Sequence, residues 1–186
     1  PLMKKLTLQM KRCSKEHRFE EAASIRDQIA ALGALGGTHA GSAGHEELED
    51  LKRFLHLNKT PERIEAFDIS NISGKEATGS MVSFFRARAD KNNYRRFKIK
   101  TVEGIDDYKM LAEVVRRRYL RLKEEKLPLP DFILIDGGKA HLLTADNELS
   151  KLGLDIPMAS IAKVEENIYA RGWKGPLHLT RDSPGL

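Results

Sequence analysis

The sequence holds one cysteine, Cys13, in 186 residues. That excludes an internal disulfide and any zinc or iron–sulfur site built on cysteine within this chain, and it suits a reducing compartment, so a cytoplasmic location is expected. Also missing is any apolar run near the roughly 20 residues of a membrane span. Pro1-Leu2-Met3-Lys4-Lys5 leads into an amphipathic segment without a signal-peptide core. Acidic excess is absent too: Lys and Arg outnumber Asp and Glu by 32 to 27, which suits an acidic partner without identifying one. The opening without a start methionine and the ending at Ser183-Pro184-Gly185-Leu186 suggest a piece of a longer protein.

Two stretches stand out among the residues present. Arg63-Ile64-Glu65-Ala66-Phe67-Asp68-Ile69-Ser70 and Phe132-Ile133-Leu134-Ile135-Asp136-Gly137-Gly138 each read as a buried strand with a carboxylate where the strand runs out. A carboxylate in such a place is costly unless paired, hydrogen-bonded or bound to a cation. If the two strands are neighbours, Asp68 and Asp136 emerge side by side, and their hard oxygens suit Mg²⁺ or Mn²⁺. Gly137-Gly138-Lys139 admits two readings: backbone amides and a lysine approaching a phosphate, or a plain strand-to-helix turn. It lacks the glycine and Lys-Ser/Thr spacing of a Walker loop. Of Asp106 and Asp107, the first is expected to cap a helix; the second either joins the metal set or completes the first helical turn.

Positive charge gathers in two places, Arg86 to Lys100 and Arg116 to Lys126. These are either solvated faces or grips on a phosphate backbone through Arg95, Arg96, Lys98, Arg117, Arg118 and Lys139. Tyr94, Phe97 and Tyr119 lie among them as stacking candidates, with core packing the expectation for Phe97.

Residues 2–34 read as a helical hairpin turning at Cys13 to Arg18, with Phe19, Ala22, Ala23, Ile25, Ile29 and Leu32 as the apolar stripe of its second helix. That stripe meets either the rest of the chain or a partner. Gly33 to Gly44 is rich in Gly, Ala and Ser, so a flexible linker is expected over 36–45. A helix from Glu46 to Leu57, with acids in its first turn, then opens a domain over 46–186. There the pattern predicts strands at 63–70, 77–86 and 94–101, a helix at 106–124, a strand at 131–136, a helix at 140–152 and a strand at 157–163. Turns are expected at Asn71 to Lys75 and at Ala89 to Asn93. The class is α/β: three antiparallel strands, then parallel β-α-β crossovers, behind an α-helical hairpin. This element order resembles the ribonuclease H-like fold, in which the first strand lies beside the fourth.

Two family resemblances follow. Phe19 to Ile29, with Leu6 and Met10, resembles the UVR motif, the hairpin through which UvrB and UvrC associate. Pro61 to Ser70, Tyr94 to Ile99, Asp106-Asp107-Tyr108, Arg117-Arg118-Tyr119 and Asp131 to Lys139 look like successive signatures of the UvrC endonuclease domain. The resemblance implies incision of damaged DNA on the 5′ side in nucleotide excision repair. It also implies Mg²⁺ or Mn²⁺ held by Asp68 and Asp136, Asp107 as a further catalytic acid, and docking on UvrB through Phe19, Ala22, Ala23, Ile25, Arg26 and Ile29 of residues 1–35, with UvrA as an indirect partner. The family's catalytic histidine is expected beyond Arg181-Asp182-Ser183-Pro184; neither His178 nor His141, which stands where the family more often has glutamine, is expected to replace it. A non-catalytic DNA-binding and UvrB-recruiting module is the alternative.

Overall fold

The structure is a computed structural model that describes residues 6, 7, 9, 10, 12, 13, 18, 21, 25, 26, 40–70, 77–102, 104–162 and 167–178. The chain divides into two compact units, residues 1–46 and 47–186. In the first unit all the described residues before position 27 are helical except Arg18, whose N–H donates to the Cys13 carbonyl at 2.9 Å, where the turn is expected. Of the expected docking residues, Ile25 is already buried within the chain and Arg26 is exposed; Phe19, Ala22, Ala23 and Ile29 lie outside the described residues.

Helix α1 spans Ala40–Phe54, which corrects the expected linker over 36–45: residues 40–45 are helical, and 36–39 lie outside the described residues. Gly41 and Gly44 each cost a helix only about 1 kcal/mol, and no proline intervenes. Because α1 starts early, its first turn holds no acid, and Glu46 and Glu47 miss the dipole placement expected of them. It also stops early. His56 takes a left-handed backbone, φ 51°, and Leu57 N–H returns to the Lys52 carbonyl at 2.9 Å, a Schellman-type close with histidine in glycine's usual place.

The second unit continues with strands β1 (Arg63–Ser70), β2 (Thr78–Phe85), β3 (Arg88–Ala89) and β4 (Arg95–Lys98), helix α2 (Asp107–Glu124), β5 (Phe132–Asp136), α3 (Lys139–Lys151), and strands β6 (Met158–Ala162), β7 (Asn167–Ala170) and β8 (Leu177–His178). All eight strands share one mixed sheet, ordered β3-β2-β1-β5-β6-β7-β8, with β4 also paired to β2. The expected meander is β1, β2 and β4, and β1, β5 and β6 run parallel, as the crossovers through α2 and α3 require.

Of three local expectations, two shift. Residues 71–76, where the first turn is expected, lie outside the described residues. The second reversal falls at Arg86 and Ala87 (φ 51° and 59°), not at Ala89 to Asn93, between the paired Phe85 and Arg88. This is a two-residue hairpin without glycine, and the Arg63 and Arg86 guanidiniums lie 5.2 and 5.1 Å from the Phe85 ring. The strand expected over 94–101 ends at Lys98 because Lys100 and Thr101 turn their N–H groups to the Glu113 carboxylate, at 3.0 and 2.8 Å.

Side chains alternate across the sheet and build two cores. Phe67, Met81, Ile133, Ile135 and Met158 pack under α2 and α3, against Val114, Val115, Tyr119, Leu142 and Leu149. On the opposite face Phe132, Ala159, Ile168 and Ala170 pack with Leu55 and Leu51. Among the described residues no helix is long and apolar enough to cross a membrane.

Candidate active site

Register decides the site. β1 and β5 are paired in parallel through Phe67↔Ile135, so the next position on each strand carries Asp68 and Asp136. Adjacent strands lie about 4.8 Å apart, and both carboxylates line one cavity of about 430 Å³ with Ala66, Ser80, Val82, Leu134 and Ile161. The two acids therefore share a face, with no strand between them. Asp68 stands opposite Ser80 and Asp136 opposite Ile161.

A clamp at the other end of the two strands holds that register. Arg63 N–H donates to Asp131 Oδ2 at 2.9 Å, Asp131 N–H returns to the Arg63 carbonyl at 2.8 Å, and Lys59 Nζ lies 2.5 Å from Asp131 Oδ1. Burial acts to raise the Asp131 carboxyl, but Lys59 and the Arg63 N–H outweigh it and hold the group below the usual carboxylate range. A slip of one residue would send one of the two acids to the helix-covered face. The role of Asp131 was missed in the sequence, although it immediately precedes the strand carrying Asp136.

Two carboxylates over a floor of Ala66, Val82, Leu134 and Ile161 suit Mg²⁺ or Mn²⁺, which commonly take one or two protein carboxylates and complete their shell with water and phosphate oxygens. Among the described residues no group of three or more His, Cys, Asp or Glu forms a metal site. Asp107 is exposed at the first position of α2, where it completes the first helical turn. Asp106 is the expected cap, its side chain accepting from Lys109 N–H at 3.0 Å.

The six basic residues expected on DNA separate. Arg96 is opposite Ser80, which is opposite Asp68, and Lys98 is opposite Thr78. Both are exposed, and by strand alternation both belong to the carboxylate face. Arg95 occupies the other face, opposite buried Met81, and donates to the Asn92 and Tyr94 carbonyls at 2.9 and 2.7 Å. Arg117 is half engaged: it donates to Glu113 and to the Lys98 carbonyl, both at 2.8 Å, and lies 5.8 Å from the Phe97 ring centre. Lys139 is exposed at the start of α3, where it lines a smaller cavity with Tyr169 and Trp173.

Arg118 is a plain correction. It turns inward and pairs with fully buried Glu65, Nη2 to Oε1 at 2.5 Å, and only 11% of its side chain is exposed. Tyr119 donates to the same carboxylate at 3.0 Å. Burial first, and then Glu65, push the Tyr119 hydroxyl well above its ordinary value, so it remains a donor. Tyr119 is thus removed from the stacking candidates, while Phe97 packs against the core as expected.

Comparison with known proteins adds the family evidence. Residues 52–186 match the model of the UvrC RNase H endonuclease domain, and residues 2–35 match the UvrB/uvrC motif. The UvrABC system protein C of Methanosarcina acetivorans is 53% identical over 150 residues, covering 80% of this chain and 29% of that protein. Its namesake in Chlorobaculum tepidum is 47% identical over 139 residues, covering 75% and 22%. The chain thus spans less than a third of the length of these relatives. Among solved structures, Ciona intestinalis endonuclease V superposes with a TM-score of 0.42 at 14% identity, over 67% of this chain and 58% of that one.

Proposed function

The chain belongs to the UvrC family, whose RNase H endonuclease domain spans residues 52–186, and on that premise we propose that it is a divalent-metal-dependent DNA endonuclease making the 5′ incision at damaged DNA in nucleotide excision repair. The observation that carries the reading is the convergence of Asp68 and Asp136 at adjacent register positions over one cavity. In this reading the two carboxylates hold Mg²⁺ or Mn²⁺. Such an ion, when bound, activates water near neutral pH, neutralises the phosphoryl oxygens and stabilises the departing 3′-oxygen.

The chain's own residues supply the positioning. Asp68 and Asp136 fix where the phosphodiester must lie, and the apolar floor beneath them strengthens charge interactions there. Arg96 and Lys98, on the same face at the side of the sheet, grip the phosphate backbone on one side of the cut. Such contacts are salt-dependent and carry no sequence information, as a repair nuclease requires. Residues 2–35 dock on UvrB, and UvrA acts through UvrB; the match to the UvrB/uvrC motif supports this.

One observation favours the alternative of a non-catalytic DNA-binding and UvrB-recruiting module: only two carboxylates converge among the described residues. An incision assay separates the two. Supplied with UvrA, UvrB, Mg²⁺ or Mn²⁺ and a damaged duplex, a longer protein that joins this chain to the family's histidine is expected to cut on the 5′ side, and Asp68→Asn or Asp136→Asn to abolish the cut. Such a protein that binds the duplex and leaves both strands whole supports the module instead.

A further inference from the structure

Both crossover helices begin at the edge where β1 and β5 end, because each follows a strand parallel to β1. Their first turns meet there. Tyr108 of α2 lies against His141 of α3, with ring centres 4.6 Å apart and planes inclined by 40°. His141 in turn occupies the space that a side chain at Gly137 would need: a Cβ there would fall 2.5 Å from His141 Cγ. Gly137 directly follows Asp136, so the tyrosine ring is two van der Waals contacts from the backbone that carries a carboxylate of the site. Among the described residues His141 Nδ1 is buried with no hydrogen-bond partner, which makes the imidazole a packed backing plate.

The tyrosine is nonetheless open. It keeps 47% of its surface exposed, and Ile105, three residues earlier and just after left-handed Gly104 (φ 79°), keeps 72%. Two large apolar side chains exposed within four residues, at the carboxylate end of the sheet, are a local patch and not scattered singles. Local charge is mixed: Lys109 pairs with the capping Asp106 at 3.0 Å, while Asp107 and Lys139 are both exposed. The patch thus offers little electrostatic grip of its own, and its ring surface is what distinguishes it.

We propose that Tyr108, backed by His141, is a stacking platform for one base of the DNA strand beside the bond to be cut, with Ile105 as an apolar wedge next to it. This rests on the reading of the chain as a DNA nuclease and adds a substrate preference to it. A paired base hides its face in the duplex stack, whereas an unpaired one exposes it. The platform therefore favours DNA that is locally unwound. Every base has a π-face, so the contact is indifferent to sequence.

The test is binding of the chain to a fluorescently labelled single-stranded oligonucleotide, and to the same strand carrying abasic sites, measured by anisotropy across a salt series. Tyr108→Ala is expected to weaken binding to the intact strand about five- to a hundredfold, while Tyr108→Phe and Tyr108→Trp stay near wild type. The salt slope should not change, because no phosphate contact is removed. On the abasic strand, wild type and Tyr108→Ala should converge. Equal affinity of wild type and Tyr108→Ala for the intact strand overturns the proposal, as does an undiminished loss on the abasic strand. Arg96→Ala with Lys98→Ala separates the two claims: if that pair weakens binding and flattens the salt slope while Tyr108→Ala does nothing, stacking fails and the DNA reading stands. A wild-type chain with no affinity for DNA overturns both.

Discussion

Arg118→Met should unfold the domain far more readily while leaving the DNA grip of the folded chain intact. In the native state the Arg118 guanidinium sits 2.5 Å from a carboxylate with no solvent exposure, Glu65, which also accepts from Tyr119. Removing the arginine leaves that charge buried with only the tyrosine hydroxyl still donating among its described partners. Breaking one side of a buried ion pair costs about 3–5 kcal/mol. At roughly 3 °C per kcal/mol for a domain of this size, the melting temperature should fall by about 10–15 °C. Glu65→Leu combined with Arg118→Met should be milder than Arg118→Met alone, because the orphaned charge goes with its partner, less about 1–3 kcal/mol for the unsatisfied Tyr119 hydroxyl. The assay is thermal unfolding followed by circular dichroism, together with DNA binding over a salt series well below the transition. Arg118→Met should keep the wild-type salt slope, whereas Arg96→Ala should reduce it by about one. An Arg118→Met chain that melts like wild type yet loses salt dependence would refute the inward assignment.

Two further outcomes follow from the same geometry. Gly137→Ala places a Cβ against the His141 ring at a backbone φ of 151°, so the turn after Asp136 must shift, at a cost of about 1–3 kcal/mol for the backbone alone; His141→Ala should recover only the share due to the ring, because the backbone strain and a Cβ contact at 2.9 Å remain, which unfolding in urea would measure. Glu113 is raised by burial but held below its ordinary range by Thr101, Lys100 and Arg117, and Asp131 is likewise lowered by Lys59 and the Arg63 N–H. Each therefore stabilises the fold fully above its unfolded value near pH 4, and that contribution fades as pH falls through the lower folded value. Urea midpoints should drop steeply below about pH 4, less so in Glu113→Gln; a flat profile from about pH 5 to 3 would contradict this.

Much of the architecture was legible because its elements are long and strongly patterned. β1 and β5 are apolar on both faces, and the order of strands and helices left few ways to place them, which made Asp68 and Asp136 neighbours before any coordinates. Short elements were less legible: β3 has two residues and β7 four, too few for a period to show. Helix α1 ran further than its apolar spacing because glycine weakens a helix without ending it.

At the site, charge was visible but its direction was not. Arg118 reads as part of a basic cluster, yet it lies four residues from both Val114 and Leu122 on the buried stripe of α2. Glu65, isolated in an apolar strand, also needed a cation. Together these signals would have found the pair. Arg95 and Arg96 differ only by strand parity, which needs the pairing with Met81 and Ser80 to resolve. Nothing in the sequence foretold that Tyr108 meets His141, since that contact depends on how two crossover helices start at one edge.

Whether Asp68 and Asp136 hold a divalent ion between them is open to direct titration of Mn²⁺ into the chain by calorimetry, without DNA. Wild type should bind saturably, and both Asp68→Asn and Asp136→Asn should lose affinity by about tenfold or more, with Asp107→Asn unaffected. Unchanged Mn²⁺ affinity in either of the first two variants would contradict shared binding.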